Sequence, residues 1–189
     1  IVRHGHLLAF DKDVDIAVWM ENWSDCCELL EKMGWQRTPM SFNYSNYRDY
    51  VHSEIGITLD LCGLQLSKAE RITGGFSLPG YPDEYQRVSI FPKFDLIQRE
   101  TMYGKVWFPN PPETILAAFY GNWRTPNPYW DTVVSAVNLE RFTLLVRCFA
   151  YYRLIQRWLS GDLMRAWCYA HQIVLKDPDD VICLRSRQW

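Results

Sequence analysis

The chain has 189 residues, of which 48% are hydrophobic and 15% aromatic, so it is long and apolar enough for one folded domain with a sizeable core. Its formal net charge of −2 excludes a general surface for nucleic acids, but it is compatible with a local pocket for one phosphorylated ligand. The six cysteines form no C-x-x-C pair, which excludes the common zinc-ligand spacings and predicts free thiols, favouring a reducing compartment.

Three aspartates occur close together in the segment Phe-Asp-Lys-Asp-Val-Asp-Ile-Ala, at Asp11, Asp13 and Asp15. Apolar residues flank them on both sides, so residues 7–19 are predicted to form a turn and then a buried strand. Because side chains alternate along a strand, the three carboxylates would share one face. Such carboxylates repel one another, and a cation held by oxygen ligands alone is expected to be Mg²⁺, Mn²⁺ or Ca²⁺ rather than zinc.

Two other interpretations of the acidic segment compete with a metal site. A charged edge strand or turn without a metal remains open. A helix–loop–helix calcium loop requires Gly at its sixth position and Glu at its twelfth. Counted from Asp11, these positions hold Ile16 and Asn22, so the segment is not such a loop.

A helix of about ten residues is predicted next, capped by Asn22 or Ser24 and ended by Gly34. An extended segment is predicted from Trp35 to about Tyr44. The apolar residues of the helix that fall on one face at helical spacing are Cys26, Leu29, Leu30 and Met33.

Two strands are then predicted near Tyr47–Ser53 and Ile57–Leu64, joined by a turn. In the second strand Leu59 and Leu61 face one side, while Asp60 faces the other. Two interpretations of Asp60 remain open. It belongs either to an exposed strand face or to a further carboxylate site beside the acidic segment.

Residues 71–87 are rich in Gly, Pro and polar residues and are predicted as a long loop. Short strand pieces are expected at residues 91–94 and 106–108. A helix is predicted from Asn110-Pro111, with Asn as the cap, to Gly121, which ends it.

The C-terminal part lacks Gly and Pro between Asp131 and Ser160 and predicts one long helix or two abutting helices. A break at Ser160-Gly161 and a further helix to about Leu175 follow. A helical hairpin packed on the domain is expected, and a partner-binding element or a membrane-surface helix remain alternatives. A membrane span is disfavoured because four arginines interrupt the apolar run, at Arg141, Arg147, Arg153 and Arg157.

Several segments together resemble one family. They are Arg3-His4-Gly5 with the acidic segment, Gly56-Ile57-Thr58-Leu59-Asp60-Leu61, Phe91-Pro92-Lys93-Phe94-Asp95, Tyr103-Gly104-Lys105-Val106-Trp107-Phe108-Pro109-Asn110-Pro111, and Phe119-Tyr120-Gly121-Asn122-Trp123-Arg124-Thr125-Pro126. In this order they resemble the LicD/fukutin family of nucleotidyltransferase-fold enzymes, over roughly residues 1–131. The resemblance implies an α+β fold with a nucleotidyltransferase-like mixed β-sheet flanked by helices. Residues 132–189 lie outside the matched motifs and are expected as a helical extension packed on that domain.

The family usually carries a Gly-Thr/Ser-Leu-Leu-Gly stretch just before Arg-His-Gly. The chain starts at Ile1, so this stretch is expected upstream, and residues 1–131 are interpreted as a domain that lacks its N-terminal part. In nucleotidyltransferase folds that stretch contributes to donor binding. Full activity is therefore expected from a chain that includes it.

The resemblance implies a metal-dependent transfer of a phosphorylated alcohol, such as phosphocholine or ribitol phosphate, from a CDP-activated donor to a glycan hydroxyl, with release of CMP. It implies Mg²⁺ or Mn²⁺ as the cofactor and no nucleic acid as a partner. A peripheral membrane or partner contact through residues 132–175 is a further expectation. Two alternatives stay open: an NTP-using nucleotidyltransferase, and a non-catalytic remnant or binding module of the same fold.

The resemblance also assigns site residues. Asp13 and Asp15 match the paired metal-binding aspartates and Asp60 the third carboxylate, all three being catalytic and metal-binding candidates, whereas Asp11 is expected outside the first ligand shell. Core packing is the preferred interpretation of Trp107 and Trp123, with stacking on a base or sugar as the alternative. The candidates for binding phosphate, each with a plain surface charge as the alternative, are Arg3, His4, Lys93, Lys105 and Arg124.

Overall fold

A computed structural model gives the structure of the chain and describes residues 1–8, 13–40, 42–67 and 70–185. Within these ranges the chain forms a six-stranded sheet, a separate two-stranded sheet and five α-helices. Asp11 and the turn predicted before the acidic strand fall on residues 9–12, which lie outside the described residues.

The six-stranded sheet is mixed. Its strands are β1 Asp13–Trp19, β2 Trp35–Arg37, β3 Tyr47–His52, β4 Thr58–Leu66, β5 Ile72–Phe76 and β6 Arg87–Phe91. The order is β2-β3-β4-β5-β6, and β1 pairs with β4. β1 runs parallel to residues 58–64 of β4, whereas β5 pairs antiparallel with residues 65 and 66. A mixed sheet with helices is the coarse α+β class that the sequence predicted.

The first core forms where α1, Trp23–Lys32, packs on one face of this sheet. Its buried members are Leu30, Tyr50, Leu59 and Leu61, and Trp23, Cys26 and Cys27 pack against them. The length of the helix and its end at Gly34, with φ of +90°, are as predicted. The predicted apolar face is wrong for Leu29 and Met33, which are 56% and 60% exposed, because the helix turns Trp23 and Cys27 toward the sheet instead.

The loop predicted over residues 71–87 is wrong, because it contains β5 and the first residue of β6. Two of the three glycines in this range, Gly74 and Gly75, belong to β5. A Cβ placed on Gly75 would come within 2.0 Å of the carbonyl oxygen of Arg87, so only glycine lets the two strands approach there.

A hairpin and a short helix follow the sheet. The hairpin strands are β7 Asp95–Thr101 and β8 Gly104–Asn110, and the helix is α2 Pro112–Tyr120. The predicted strand piece at 106–108 lies inside β8. The helix ends at Gly121, with φ of +67°, as predicted, but Pro111 rather than Asn110 occupies the N-cap position.

The C-terminal helices are α3 Leu144–Leu159, α4 Leu163–Lys176 and α5 Val181–Arg185. The break at residues 160–161 is confirmed. The prediction of helix from residue 131 is wrong, because residues 131–143 form turns, an isolated bridge and irregular backbone. Asp131 Oδ1 accepts from the backbone N–H groups of Val133 and Val134, which fixes the first turn, and α3 begins only after its N-cap Thr143.

The second core lies between these helices and the sheet. It contains Val134, Val146 and Ile173, which are completely buried, and Phe76 of β5 packs against it. The ring of Phe76 also contacts that of Phe149 in α3, at 6.4 Å between centroids. The division into domains at residue 131 stays a prediction. No helix in the described part of the chain combines the length and apolar character needed to cross a membrane.

Candidate functional site

Four aspartates share one face of the six-stranded sheet. Asp15 of β1 is in register with Asp60 of β4, and Asp60 is in register with Asp49 of β3 on its other side. Neighbouring strands are about 4.8 Å apart, so these three residues are adjacent. Asp13 lies two residues before Asp15 and therefore faces the same side. We refer to Asp13, Asp15, Asp60 and Asp49 as the aspartate row.

The structure places Asp60 beside the first acidic strand, and it adds Asp49, which the sequence prediction missed. The signal for Asp49 was its neighbour Tyr50, which is buried against α1 with 1% exposure. Because alternation turns Asp49 away from that core, an antiparallel partner of β4 would place it opposite Asp60. The Oδ1 atom of Asp49 is buried and accepts no hydrogen bond from any described residue.

Asp60 has the most perturbed carboxyl group in the row. Burial raises its pKa to about 6, and the carboxylates of Asp49, Asp15 and Asp13 act in the same direction. The hydroxyl of Tyr47 donates a hydrogen bond to Asp60 Oδ2 at 2.9 Å, which opposes this shift. The neighbouring carboxylates therefore disfavour the ionised form of Asp60, whereas the hydroxyl of Tyr47 favours it.

The row is open on one side and sheltered on the other. The prediction of a buried first strand is wrong, because Val14 and Ile16 are 38% and 37% exposed and both aspartates of β1 are exposed. The reason is that β1 pairs with β4 alone among the described strands. Asp60 and Asp49 are half-buried, so a ligand approaching from β1 would reach the whole row.

Cys62 continues the same face beyond Asp60. Burial raises the pKa of its thiol to about 12, and the charges of Asp15 and Asp60 add to the effect. The thiol is therefore neutral at physiological pH and is not an activated nucleophile.

Within the described ranges, no group of three or more His, Cys, Asp or Glu side chains is arranged so that it could hold a metal ion. Mg²⁺ is commonly held by one or two carboxylates together with substrate phosphates and water. The pair of Asp15 and Asp60 supplies such oxygen ligands, and the buried Oδ1 of Asp49 is a further acceptor. The donor set thus fits Mg²⁺ or Mn²⁺, and the metal role of these residues stays a prediction.

Three of the five predicted phosphate-binding residues are connected through Trp123. The Nε–H of Arg3 donates to His4 Nε2 at 2.9 Å, and its Nη1 donates to the carbonyl of Trp123 at 3.0 Å. The guanidinium of Arg124 lies 4.3 Å from the ring centroid of Trp123. We refer to Arg3, His4 and Arg124 as the basic cluster.

The two predicted lysines have other surroundings. Lys93 is 3.7 Å from a carboxylate oxygen of Glu70, and Lys105 is 3.7 Å from one of Glu100, in pairs that are largely exposed. Such pairs are typical of a solvated surface. A phosphate role for either lysine stays a prediction, and Trp107, which is 61% exposed, does not have the core position preferred for it.

No family model matches the chain, and neither does any curated protein. Among solved structures, the chain is similar to the crystal structure of the lincosamide antibiotic adenylyltransferase LnuA with lincomycin bound. The two sequences are 17% identical, the TM-score is 0.39, and the match covers 55% of this chain and 59% of that chain. This similarity is too distant to carry an argument about family or activity. The LicD/fukutin resemblance accordingly stays a prediction.

Proposed function

We propose that this chain is a divalent-metal-dependent transferase that moves a phosphorus-containing group from a nucleotide-activated donor to a hydroxyl group. The observation that carries the proposal is the register of β1 and β4, which sets Asp15 beside Asp60 with Asp13 on the same face. A bound cation would neutralise the donor diphosphate and the charge that develops as the nucleotide leaves. The sequence motifs favour a CDP-activated alcohol as the donor, a glycan hydroxyl as the acceptor and CMP as the product.

The side chains divide the work by position. Asp13 and Asp15 stand on the exposed strand, where they would hold the cation that a phosphorylated ligand brings within reach. Since no three of the described carboxylates are arranged to hold a metal ion, Asp60 would join them from the sheltered side when the ligand brings the cation, with its Oδ2 held by the hydroxyl of Tyr47. In the basic cluster, neither Arg3 nor Arg124 forms an ion pair with a carboxylate of the described residues, so both charges are available for phosphate oxygens.

The metal role is tested by Mn²⁺ binding, measured by electron paramagnetic resonance. The double variant Asp13→Asn, Asp15→Asn should lose Mn²⁺ binding, and any release of CMP from CDP-choline or CDP-ribitol should fall at least about 100-fold. The control is Asp83→Asn, which removes an exposed carboxylate paired with Arg141 at 3.4 Å. Circular dichroism checks that each variant is folded. Unchanged Mn²⁺ binding in the double variant would contradict the proposal.

The donor is tested by product release in Mg²⁺ with each nucleotide in turn. CMP from a CDP-alcohol supports the proposed reaction. Pyrophosphate from an NTP would instead support a nucleotidyltransferase. A chain that gives neither product, and whose melting temperature does not change with Mn²⁺ and CDP together, would be a non-catalytic module.

A further inference from the structure

An open apolar groove of about 530 Å³ lies between the three C-terminal helices α3, α4 and α5. The small, buried side chains of Ala166 and Ala170 leave this space beside α4. Apart from the thiol of Cys183, every side chain that lines the groove is apolar or aromatic. The groove therefore offers an apolar environment to a ligand and few groups that could bind a polar one.

Five of the large side chains that line the groove are also exposed to solvent, by between 45% and 66%. Because all five border one groove, they form a continuous surface. Large continuous apolar surfaces are uncommon on soluble chains and mark sites of contact with another protein or a membrane. We refer to these residues as the apolar face: Trp158, Leu163, Met164, Trp167 and Ile182.

The three helices that carry the apolar face contain no acidic residue. Their charged side chains are all basic, and the carboxylates of this part of the chain lie in the turns between the helices. Residues 144–185 thus have an excess of two positive charges, in a chain whose net charge is −2. The basic residues are Arg147, Arg153, Arg157, Arg165, Lys176 and Arg185.

Three of these arginines lie close in sequence to the apolar face and are incompletely neutralised. Arg157 Nη1 and Arg165 Nε are 3.8 Å and 3.7 Å from the same oxygen of Asp162, so two cations share one carboxylate. Arg185, at the end of α5, is exposed and forms no ion pair with the described residues. Long arginine side chains can extend past an apolar surface to reach an anion at its edge.

These charges decide between two occupants of the apolar face. A symmetric dimer would place the same surface against itself, so Arg157 and Arg165 would approach a partner surface that is also basic, which costs free energy. A bilayer with anionic headgroups instead supplies an apolar interior and negative charge together. Tryptophan is common at such interfaces. Since no helix in the described part of the chain can span a membrane, the contact would be peripheral.

We propose that the apolar face binds the surface of an anionic phospholipid bilayer. Its side chains enter the boundary between headgroups and acyl chains, and Arg157, Arg165 and Arg185 contact lipid phosphates. This narrows the membrane contact expected for residues 132–175 to a defined face, and it adds α5 to that contact. The face does not include the aspartate row, so the inference stands independently of the proposed transfer reaction.

The test is flotation of the chain with vesicles, in buffer that contains EDTA. Vesicles of equal parts phosphatidylcholine and phosphatidylglycerol should bind it at least about fivefold better than phosphatidylcholine alone, and added salt should weaken this binding. Trp167→Gln should weaken binding at least about fivefold, because an apolar anchor is lost. The matched control is Trp107→Gln, which removes a tryptophan that is exposed on β8. Met164→Gln is a second variant that keeps the shape and helix propensity of the residue and should also weaken binding.

The role of charge is tested by Arg165→Gln. This variant should weaken binding to the anionic vesicles about fivefold, which is the effect of one basic residue near such a surface. The matched control is Arg141→Gln, which also removes an arginine from an exposed ion pair and should leave binding unchanged.

Several results would overturn the inference. They are no binding to either kind of vesicle, equal binding to both kinds, or wild-type binding in both Trp167→Gln and Met164→Gln. Sedimentation equilibrium tests the other occupant, and a dimer that Trp167→Gln dissociates would assign the apolar face to a second copy of the chain instead. The double variant Asp13→Asn, Asp15→Asn should still bind anionic vesicles in EDTA, so a failure here is distinct from a failure of the metal role.

Discussion

The fold surrounds two sets of aspartates in opposite ways. Asp131 lies between the sheet and the C-terminal helices, where it accepts from Arg153 at 2.6 Å, from Tyr169 at 2.9 Å and from two backbone N–H groups. Asp60, in the aspartate row, instead has carboxylates on both neighbouring strands. Full pairing is what a structural aspartate requires, so the unbalanced row is better explained by a ligand than by stability.

Asp180 extends the comparison to acid–base behaviour. Burial acts to raise its pKa, but hydrogen bonds from Tyr151 and from the N–H of Cys183, together with the charge of Arg147, lower it overall. Asp60 is shifted the other way, to about 6. The anionic form of an aspartate is thus stabilised at Asp180, between the helices, and destabilised at Asp60, on the sheet face.

The largest effect on stability is expected for Asp131, whose carboxylate is fully paired. Asp131→Ala should lower the free energy of unfolding by about 3–5 kcal/mol, because Arg153 loses its buried partner and the turn over residues 131–134 loses its acceptor. Urea denaturation at pH 7 measures it. Asp83→Ala is the control, since Asp83 forms an exposed pair with Arg141 and should matter by less than about 1 kcal/mol. Similar small losses in both variants would remove the contrast between the two sets.

Asp60 should lower the free energy of unfolding when it is ionised, whereas Asp131 raises it. Its folded pKa of about 6 lies above the value near 3.9 expected for unfolded Asp, so the folded chain binds the extra proton in that interval. The free energy of unfolding should therefore fall as pH rises from about 4 to about 6. The expected fall is about 1–2 kcal/mol, because solvent partly screens the half-buried group.

Asp60→Asn should abolish this fall and make the chain more stable than wild type above pH 6, in urea denaturation with EDTA present. Asp180 should contribute the opposite pH dependence to the unfolding free energy, and Asp180→Asn should remove that contribution. The pKa of Asp180 is lowered in the folded state, so its contribution is present at neutral pH and is lost on acidification below about pH 4. If the unfolding free energy of Asp60→Asn depends on pH as in wild type, the carboxylates of the aspartate row do not repel one another as their register implies.

The sequence predicts the elements whose signals are local. The alternation in β3 and β4 gave both strands and the face of Asp60, and Gly34 and Gly121 marked the ends of α1 and α2. Each of these depends on residues that are close in the chain. Periodicity and capping are sufficient there because no distant contact overrides them.

The errors come from contacts between distant residues. Gly75 looked like a loop residue, yet the approach of β6 makes glycine necessary at that point of β5. The apolar stretch after Asp131 has a helical composition. The Asp131 carboxylate, however, accepts from the backbone N–H groups two and three residues further on and stabilises a turn there instead. The place of Asp49 depended on the pairing of β3 with β4, so the row could be predicted only in part.

The smallest predicted effect concerns how Asp60 is oriented. Tyr47→Phe removes the hydroxyl that donates to Asp60 Oδ2 but keeps the ring, which contacts that of Phe76 at 4.9 Å between centroids. Since the hydrogen bond favours the ionised carboxyl group, its loss should raise the pKa of Asp60 by about one unit. The change in unfolding free energy should stay below about 1 kcal/mol at pH 4, where Asp60 is protonated in both proteins.

Carbon-13 NMR titration of the aspartate carboxyl groups measures the shift directly. Tyr44→Phe is the matched control, because its ring packs on Tyr47 at 6.1 Å between centroids while the bond to Asp60 is kept. If the midpoint of Asp60 is the same in wild type and Tyr47→Phe, the hydroxyl does not hold the carboxylate, and the neighbouring aspartates alone set its chemistry. If it moves only in Tyr47→Phe, Asp60 is a carboxylate that is both oriented and crowded, which is what a cation-binding position requires and a structural one does not.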